Sequence, residues 1–594
     1  MLNRQSIRLR RLARRVLATG SEPERAARGL AAGCFAAAFP LPGLQIPFSV
    51  FLAWLIGGNK GIAVMPQFLS NAGTMLPLAW LQYWIGSKLW PGTPADPTVA
   101  LTGLKSAVET WSWKSPLTSL DDLFGSLLGL GADVIGPLLL GVVVTAIALS
   151  MLAYPTGLIA FTWYQHRRTT TRERKGIGPR PVMPLMLPSH SDDHLTIEQA
   201  AARYAIRRVP LVKADGVRLL VDGAQAFPEM LGCIAAARTS IDLETYILCA
   251  DYTGKRFGAA LMAAARRGVA VRLLYDGFGG IGLPQDYIDA LLSAGVKVRV
   301  YRPLSTIWKR GFRPLNRRDH RKILVIDRSV GFAGGLNIAD DYASKEDFGT
   351  GWRDTHLRID GSVPVQELAK LFNDTWVRAD EYTLPAGTEA PAPAPESELP
   401  PPAACTTQYT SRDVTVQILS NKEFFQRVRL RRAYLHAIRN ARHYILIENA
   451  YFIPDRGIRR ALYRAVRRGV VVGVIIAKES DVRIAAMASR ALYAELLTNG
   501  VRIFEYPTSM VHSKCAAIDD IWSMVSSYNL DHRSLLHNLE AGVLLLNRPV
   551  AHALRDQLMI DITRSREVLL EQHQSRSWRE ALLEGLAYQL RYWL

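Results

Sequence analysis

The feature that most constrains how this chain can fold is a long internal repeat. The stretch SIDLETYIL, starting at Ser240, is matched by HYILIENAYF, starting at His443. ALMAAARRGVAVRLLYD, from Ala260, is matched by ALYRAVRRGVVVGVIIA, from Ala461, and YIDALLSAGVKVRVY, from Tyr287, by LYAELLTNGVRIFEY, from Leu492. Gly268 and Gly469 stand 201 residues apart, and Gly295 and Gly500 stand 205 apart. A period this long means two copies of one folded unit. Within each copy, short β-branched runs alternate with Ala-, Arg- and Leu-rich helical runs. That alternation predicts a mixed sheet flanked by helices. Between the copies, PAGTEAPAPAPESELPPPAACTT is rich in Pro and Ala without apolar periodicity, and reads as a semi-extended linker.

The first part of the chain has a different texture. No charged residue occurs from Gly29 to Asn59, from Gly61 to Ser87, or from Val134 to Gln165. A bilayer core takes about 20 apolar residues per helix, so each run is long enough to cross. Pro40, Pro42 and Pro47 break the first, which suits a bent or re-entrant segment. Tyr154, Trp163 and Tyr164 suit the ends of the third as interfacial anchors. Arg8, Arg10, Arg11, Arg14 and Arg15 precede the region, and Arg167, Arg168, Arg172, Arg174 and Lys175 follow it. Basic residues mark the cytoplasmic side, so both flanks are expected there, with an even number of crossings. The expected architecture is an α-helical transmembrane domain with basic flanks (1–180), then an α/β domain. The latter comprises a first repeat (181–384), a linker (385–410), and a second repeat (411–594) ending in an amphipathic helix bearing Trp578, Leu582, Leu586, Leu590 and Trp593. The two repeats are expected to form one pseudo-two-fold catalytic domain. The net charge of +19 fits an anionic partner, membrane or nucleic acid, without choosing between them. Five cysteines without a CxxC pair argue for reduced thiols and against a zinc site.

Each copy carries one His-x-Lys-x4-Asp: His320, Lys322 and Asp327 in the first, His512, Lys514 and Asp519 in the second. HRKILVID and HSKCAAID read as strands, on which residues two apart share a face. His320 and Lys322 therefore project together, as do His512 and Lys514. Asp327 and Asp519 lie seven positions on, facing the other way, where holding nearby backbone is the expected task. A turn of small residues follows (Gly334 and Gly335; Ser526 and Ser527), then Asn337 and Asn529, each ten positions after its Asp. Small residues let a phosphate approach the backbone.

These two motifs, at equivalent points of a repeat, resemble the phospholipase D superfamily. NRRDHRKILVIDRSVGFAGGLNI, GWRDTHLRIDG, RLRRAYLHAIRNARHYILIENAYFIPD and NLDHRSLLHNLE resemble bacterial cardiolipin synthases of the shorter type, although Ser526 stands where a Gly is usual. The N-terminal stretch resembles a small bacterial membrane domain family of unknown function, through the turn from Leu41 to Gln45 and the segment Ser70, Asn71, Thr74, Pro77. The first resemblance implies a phosphatidyltransferase working through a phosphohistidine. One histidine attacks phosphorus and the other serves as general acid and base; by analogy these are His320 and His512, although the near-symmetric motifs do not separate the roles. Lys322, Lys514, Asn337 and Asn529, with Gly335 and Ser527 in the turns, would cradle the phosphoryl oxygens, and neither a metal nor another cofactor is called for. The implied partners are phospholipids (phosphatidylglycerol, with phosphatidylethanolamine as a second donor) and the membrane, not nucleic acid. The implied place is the bacterial inner membrane with the catalytic domain on its cytoplasmic side. Two repeats complete a site within one chain, so an oligomer is not required. Hydrolysis of phospholipid by the same site is the alternative, with a nuclease or an inactive scaffold behind it.

Each histidine needs a partner on its other nitrogen. Asp354 and Glu540 fall 34 and 28 residues after the histidine of their own repeat and are the candidates. Glu244 and Glu448 end strands in both copies and are candidates to line the pocket or to hold a helix N-terminus. The remaining histidines, including His356 and His573, read as surface or core residues.

Overall fold

The computed structural model describes residues 23–39, 45–68, 72–96, 102, 131–173, 185–187, 195–303, 317–382, 408–421, 428–507 and 509–593. The first basic cluster, Arg174, Lys175 and the linker up to residue 407 lie outside them. The described chain divides into two compact units, one built on residues 1–178 with 574–585 and one on 179–573 with 586–594.

In the helical unit, the first apolar run forms two helices, Pro23–Ala37 and Gln45–Leu55. At 15 and 11 residues, and at about 1.5 Å per residue, neither reaches across a bilayer. The second run is also divided. Asn59 caps a short helix at Lys60–Ala63 by accepting from the Gly61 and Ile62 N–H groups, and an 18-residue helix follows at Ala72–Leu89. Among the described residues one segment, Ala132–Phe161 within the helix Ala132–Glu173, is long and apolar enough to cross a membrane. Three runs of sufficient length in sequence thus reduce to one among the described residues. This helix meets Ala72–Leu89 at backbone distance. A Cβ on Gly86 would lie 1.7 Å from the Pro137 carbonyl oxygen, and one on Gly141 would lie 1.7 Å from that of Gln82. Glycine here permits the close approach typical of packed apolar helices. Gln82 Nε2 donates to Thr145 Oγ1 (3.0 Å) across the same contact.

The other unit holds both repeats. The first contributes β1 (Val212–Val221), β2 (Ser240–Thr245), β3 (Ala270–Asp276), β4 (Lys297–Tyr301), β5 (Ile323–Ile326), β6 (Val330–Gly334), β7 (Thr355–Asp360) and β8 (Asp380–Glu381). The second contributes β9 (Ser411–Asn421), β10 (Tyr444–Asn449), β11 (Val471–Ala477), β12 (Arg502–Tyr506), β13 (Lys514–Ile518), β14 (Trp522–Ser526), β15 (Glu540–Leu546) and β16 (Arg566–Glu567). All sixteen join in one sheet, ordered β16-β12-β11-β10-β13-β14-β15-β9-β1-β7-β6-β5-β2-β3-β4-β8. Read outward from the antiparallel β1/β9 seam, both halves have the same order, so the sequence repeat is a structural one. β2, β3 and β4 run parallel, as do β10, β11 and β12, which explains their near-continuous Val, Ile and Leu. Helices on both faces complete separate apolar clusters, such as that of Phe227, Phe257 and Leu273 in the first repeat and that of Tyr434, Leu462 and Trp522 in the second. Cys34, Cys249 and Cys515 are free thiols.

Candidate active site

Both histidines lie just ahead of a strand: β5 begins three residues after His320, and β13 two after His512. The segment before each strand is tied by backbone to the opposite repeat. The His320 N–H donates to the Leu539 carbonyl (3.0 Å) and the Leu539 N–H to that of Arg318 (2.8 Å). The His512 N–H donates to the Arg353 carbonyl (2.8 Å) and the Arg353 N–H to that of Met510 (2.9 Å). These parallel bridges set His320 beside Glu540, which opens β15, and His512 beside Asp354, which immediately precedes β7, in the other half. His512 Nδ1 lies 2.8 Å from Asp354 Oδ2, and His320 Nδ1 lies 3.1 Å from Glu540 Oε2 and from the Ser527 carbonyl. An ionised carboxylate only accepts, so in each couple, while the carboxylate is ionised, Nδ1 carries the proton and Nε2 is the free basic nitrogen.

Asp354 and Glu540 are thus paired with histidines, but across the repeats and not within them. Within its own half the carboxylate stands two strands, about 9.6 Å, from its histidine, because β6 lies between β7 and β5. The parallel backbone bridges between the repeats, Asp319 to Leu539 and Arg353 to Val511, bring it beside the other histidine.

The lysines lie beside the histidines. Lys322 Nζ donates to the His320 carbonyl (2.7 Å) and sits 5.2 Å from the centre of the Tyr246 ring. Lys514 Nζ donates to the His512 carbonyl and lies 2.9 Å from His512 Nδ1. Asn337 Oδ1 accepts from the Ile247 N–H (3.0 Å) while its Nδ2 donates to Tyr342 Oη (2.6 Å). Asn529, also buried, leaves its Oδ1 without a partner among the described residues. The small-residue turns differ in purpose. A Cβ on Gly335 would lie 2.0 Å from Asp354 Oδ1, so only glycine leaves room for that carboxylate. At the equivalent position, Ser527 Oγ donates to Glu540 Oε2.

The electrostatics follow from enclosure. Burial first, then Lys322 and Lys514, push His320 well below the usual imidazole range. Burial and Lys514 lower His512 to about 4. Burial, then Lys514, lowers Lys322 to about 7; burial lowers Lys514 to about 8 against the pull of Asp354 and Glu540. Burial raises Glu540 to about 7. Burial would also raise Asp354, but His512, Lys514 and the Thr355 N–H outweigh it and hold that carboxyl low. The resting cluster is therefore two neutral imidazoles facing two lysines that give up protons easily. A phosphodiester would bring further negative charge to those lysines.

Four candidates lie elsewhere. Asp327 and Asp519, included above in the two catalytic motifs, sit at the far end of the strand that follows each histidine, about 23 Å of extended chain away. Asp327 accepts from the N–H groups of Arg238, Thr239 and Ser240. Asp519 accepts from those of Arg442, His443 and Tyr444 and from Tyr204 Oη. They hold backbone, as their odd spacing suggested. Neither Glu244 nor Glu448 hydrogen-bonds a histidine or a helix N–H among the described residues. Glu244 faces Arg321 Nη1 at 3.9 Å and Glu448 faces Arg353 Nη2 at 3.4 Å. Each is buried beside an arginine that flanks a site residue. Burial raises Glu448 to about 8 and Glu244 well above the carboxylate range.

Three aromatics escaped the sequence reading. The Tyr342 hydroxyl lies 3.4 Å from His512 Nε2, and its ring meets the imidazole edge-on at 5.1 Å. Trp352 packs 5.8 Å from His512, and Tyr246 packs 4.9 Å from His320. All belong to the first repeat. Their counterparts, Ser534, Asn538 and Ala450, are not aromatic, so matching the two copies could not reveal them. The proximity of Trp352 to Asp354 in sequence was the one available signal.

Residues 230–376 and 434–561 match a family described as cardiolipin synthase, PLD-like domain, and residues 7–170 match a family described as an uncharacterized protein conserved in bacteria (DUF2062). A cardiolipin synthase of Halalkalibacterium halodurans is 32% identical over 63% of this chain and 72% of its own length. Cardiolipin synthase A of Pseudomonas entomophila is 31% identical over 69% and 82%, and cardiolipin synthase B of Escherichia coli 35% identical over 58% and 80%. Among solved structures, phosphatidylserine synthase of Haemophilus influenzae superposes with a TM-score of 0.51 at 14% identity, covering 67% of this chain and 99% of that one. At that identity the likeness speaks for the fold.

Proposed function

The chain belongs to the cardiolipin synthase family of phospholipase D-like phosphatidyltransferases, and on that premise we propose that it moves a phosphatidyl group from one phospholipid onto the glycerol hydroxyl of phosphatidylglycerol. The observation that carries this reading is the crossed seating of the histidines, each held by a carboxylate of the other repeat. It leaves two Nε2 atoms free in one buried cluster with two lysines, one to attack phosphorus and one to carry the proton in a double displacement.

His320 is the nucleophile in this scheme. Its Nε2 makes no hydrogen bond among the described residues, whereas the Tyr342 hydroxyl sits on that of His512. The incoming phosphodiester anion offsets the charges of Lys322 and Lys514, and His512 takes up a proton. His320 Nε2 attacks phosphorus, the P–O bond to the departing alcohol breaks, and His512 Nε2–H protonates that oxygen. The acceptor hydroxyl then yields its proton to His512, its oxygen attacks phosphorus, and the P–N bond to His320 breaks. Lys322, Lys514, Asn337 and Asn529, with the Gly335 and Ser527 turns, are assigned to the phosphoryl oxygens. Phosphatidylglycerol is the proposed donor, with phosphatidylethanolamine as the alternative. The catalytic unit works on the cytoplasmic side of a bacterial inner membrane, without nucleic acid and without a second subunit.

The test is a product assay. Purified protein in mixed micelles receives labelled phosphatidylglycerol, with and without phosphatidylethanolamine, beside His320→Ala and His512→Ala. Cardiolipin that disappears in both variants is the expected result, and the released headgroup names the donor. Phosphatidic acid without cardiolipin would replace transfer by hydrolysis on the same histidines.

A further inference from the structure

A cavity of about 800 Å³ opens between the helices Ile197–Tyr204 and Arg429–Asn440. None of its lining residues belongs to the histidine cluster. Gln417, at its base, pairs with Leu544, four residues along β15 from Glu540, about 13 Å at strand spacing.

The cavity is built, not left over. Arg432, Leu435, His436 and Arg439 follow i, i+3, i+4 and i+7 and so share one helix face. Opposite them, Ala201, Ala202 and Ala205 are too small to fill the gap. The turn bearing Arg207 and Arg208 is clamped by buried Gln417, whose side chain accepts from the Ile206 N–H (2.8 Å) and donates to the carbonyls of Ile206 (3.0 Å) and Val209 (2.7 Å). Arg208 is held at φ 67°, a left-handed conformation that costs a non-glycine residue energy and persists where surroundings impose it. Asp519 fixes both walls at once, accepting from Tyr204 Oη at the end of one helix and from the Arg442 N–H just past the other (2.7 Å each).

The floor is apolar and the rim is cationic. Arg207, Arg208, Arg432 and Arg439 are exposed, none has an ion pair among the described residues, and no carboxylate lines the cavity. Such a surface fits an anion that carries hydrocarbon. A nucleic acid would want aromatic stacking platforms, and none lines this one. We infer that this groove is a second lipid site, taking the phosphate of an anionic phospholipid between its arginines and the first carbons of an acyl chain along its alanine and leucine floor. The site is independent of which reaction the histidines perform.

The experiment uses the full chain carrying His320→Ala, so that nothing turns over, in neutral detergent micelles. A diazirine-bearing phosphatidylglycerol is crosslinked and the labelled peptides are mapped by mass spectrometry. Saturable labelling of 201–211 or 429–440 is expected, at least tenfold above that given by the matching phosphatidylcholine probe. Each of Arg207→Gln, Arg208→Gln, Arg432→Gln and Arg439→Gln should weaken it about fivefold, the worth of one surface cation near anionic lipid. Ala202→Trp, which fills the groove from an exposed position with every arginine kept, should abolish it. Equal labelling by phosphatidylcholine, indifference to the arginine variants, or displacement of the probe by single-stranded DNA at lower concentration than by phosphatidic acid would each overturn the assignment.

Discussion

The two repeats share one strand order, yet at the catalytic cluster they are no longer copies. The first supplies a short carboxylate, Asp354, packed against Gly335 at a distance that excludes any Cβ. The second supplies the longer Glu540, braced by Ser527 Oγ and, at 3.2 Å, by Asn538 Nδ2. The first also supplies the aromatics that, among the described residues, pack on His320 and His512. The backbone keeps the two-fold relation because it places the histidines. On the proposed mechanism the side chains abandon it for a reason: one histidine is to stay open to phosphorus, and the other is to exchange protons under cover.

The sharpest way to break this comparison is to remove each histidine in turn. His320→Ala and His512→Ala should both lower turnover by at least about a thousandfold. They should differ in trapping: a radiolabelled donor should leave acid-labile phosphate on His512→Ala protein and none on His320→Ala. Label on the wrong variant would reverse the roles.

Next come the partners. Asp354→Asn should cost about a hundredfold or more in kcat, since the ionised carboxylate fixes the His512 tautomer. Glu540→Gln should cost less, and its cost should grow with pH. The folded Glu540 carboxyl titrates at about 7, so below that pH the natural side chain is itself protonated and resembles glutamine. Equal losses with flat pH dependence would show the couples to be equivalent.

Exchanging the turn residues tests why the halves diverged. Gly335→Ser places a Cβ on the Asp354 carboxylate and should lower kcat about as far as Asp354→Asn. Ser527→Gly removes one hydrogen bond to a carboxylate and should cost about tenfold. The lysines give a smaller, shared signature. With Lys322 titrating at about 7 and Lys514 at about 8, both are charged below those values and lose their protons above them, so kcat/KM should fall as pH rises through 7 to 8. Lys322→Arg, charged at every working pH, should move that limb upward. Smallest is Tyr342→Phe. Its hydroxyl donates to His512 Nε2 and so favours the neutral ring. Its loss should raise the acidic limb of the profile by about half to one pH unit, the worth of one hydrogen bond.

Much of this was legible in the sequence for a physical reason: a repeat exposes whatever both copies must keep. His320, Lys322, Asn337 and their counterparts stood out in that way, and the odd spacing of Asp327 and Asp519 gave their task. What stayed hidden was whatever only one copy has, such as Tyr342, Trp352 and Tyr246, and whatever depends on the seam. The crossed pairing of Asp354 and Glu540 is set by the backbone bridges between the repeats, Asp319 to Leu539 and Arg353 to Val511, which join residues far apart in sequence and cannot be read from local spacing. In the helical unit, apolar length alone overstated the number of long helices, because Asn59 opens a separate short helix between the first two apolar runs and an uncharged run need not form one continuous helix.

The crossed seating also bears on how such a molecule can change over time. If two separate, identical chains had to lend each other a carboxylate, every substitution would appear twice in the site. A tyrosine placed over one imidazole would cover both, and a serine that braces one carboxylate would collide with the other. Joining the copies in a single polypeptide removes that bond between the halves. Gly335 and Ser527 can then each be right for its own neighbour, and a symmetric ancestor's two equal histidines are free to specialise.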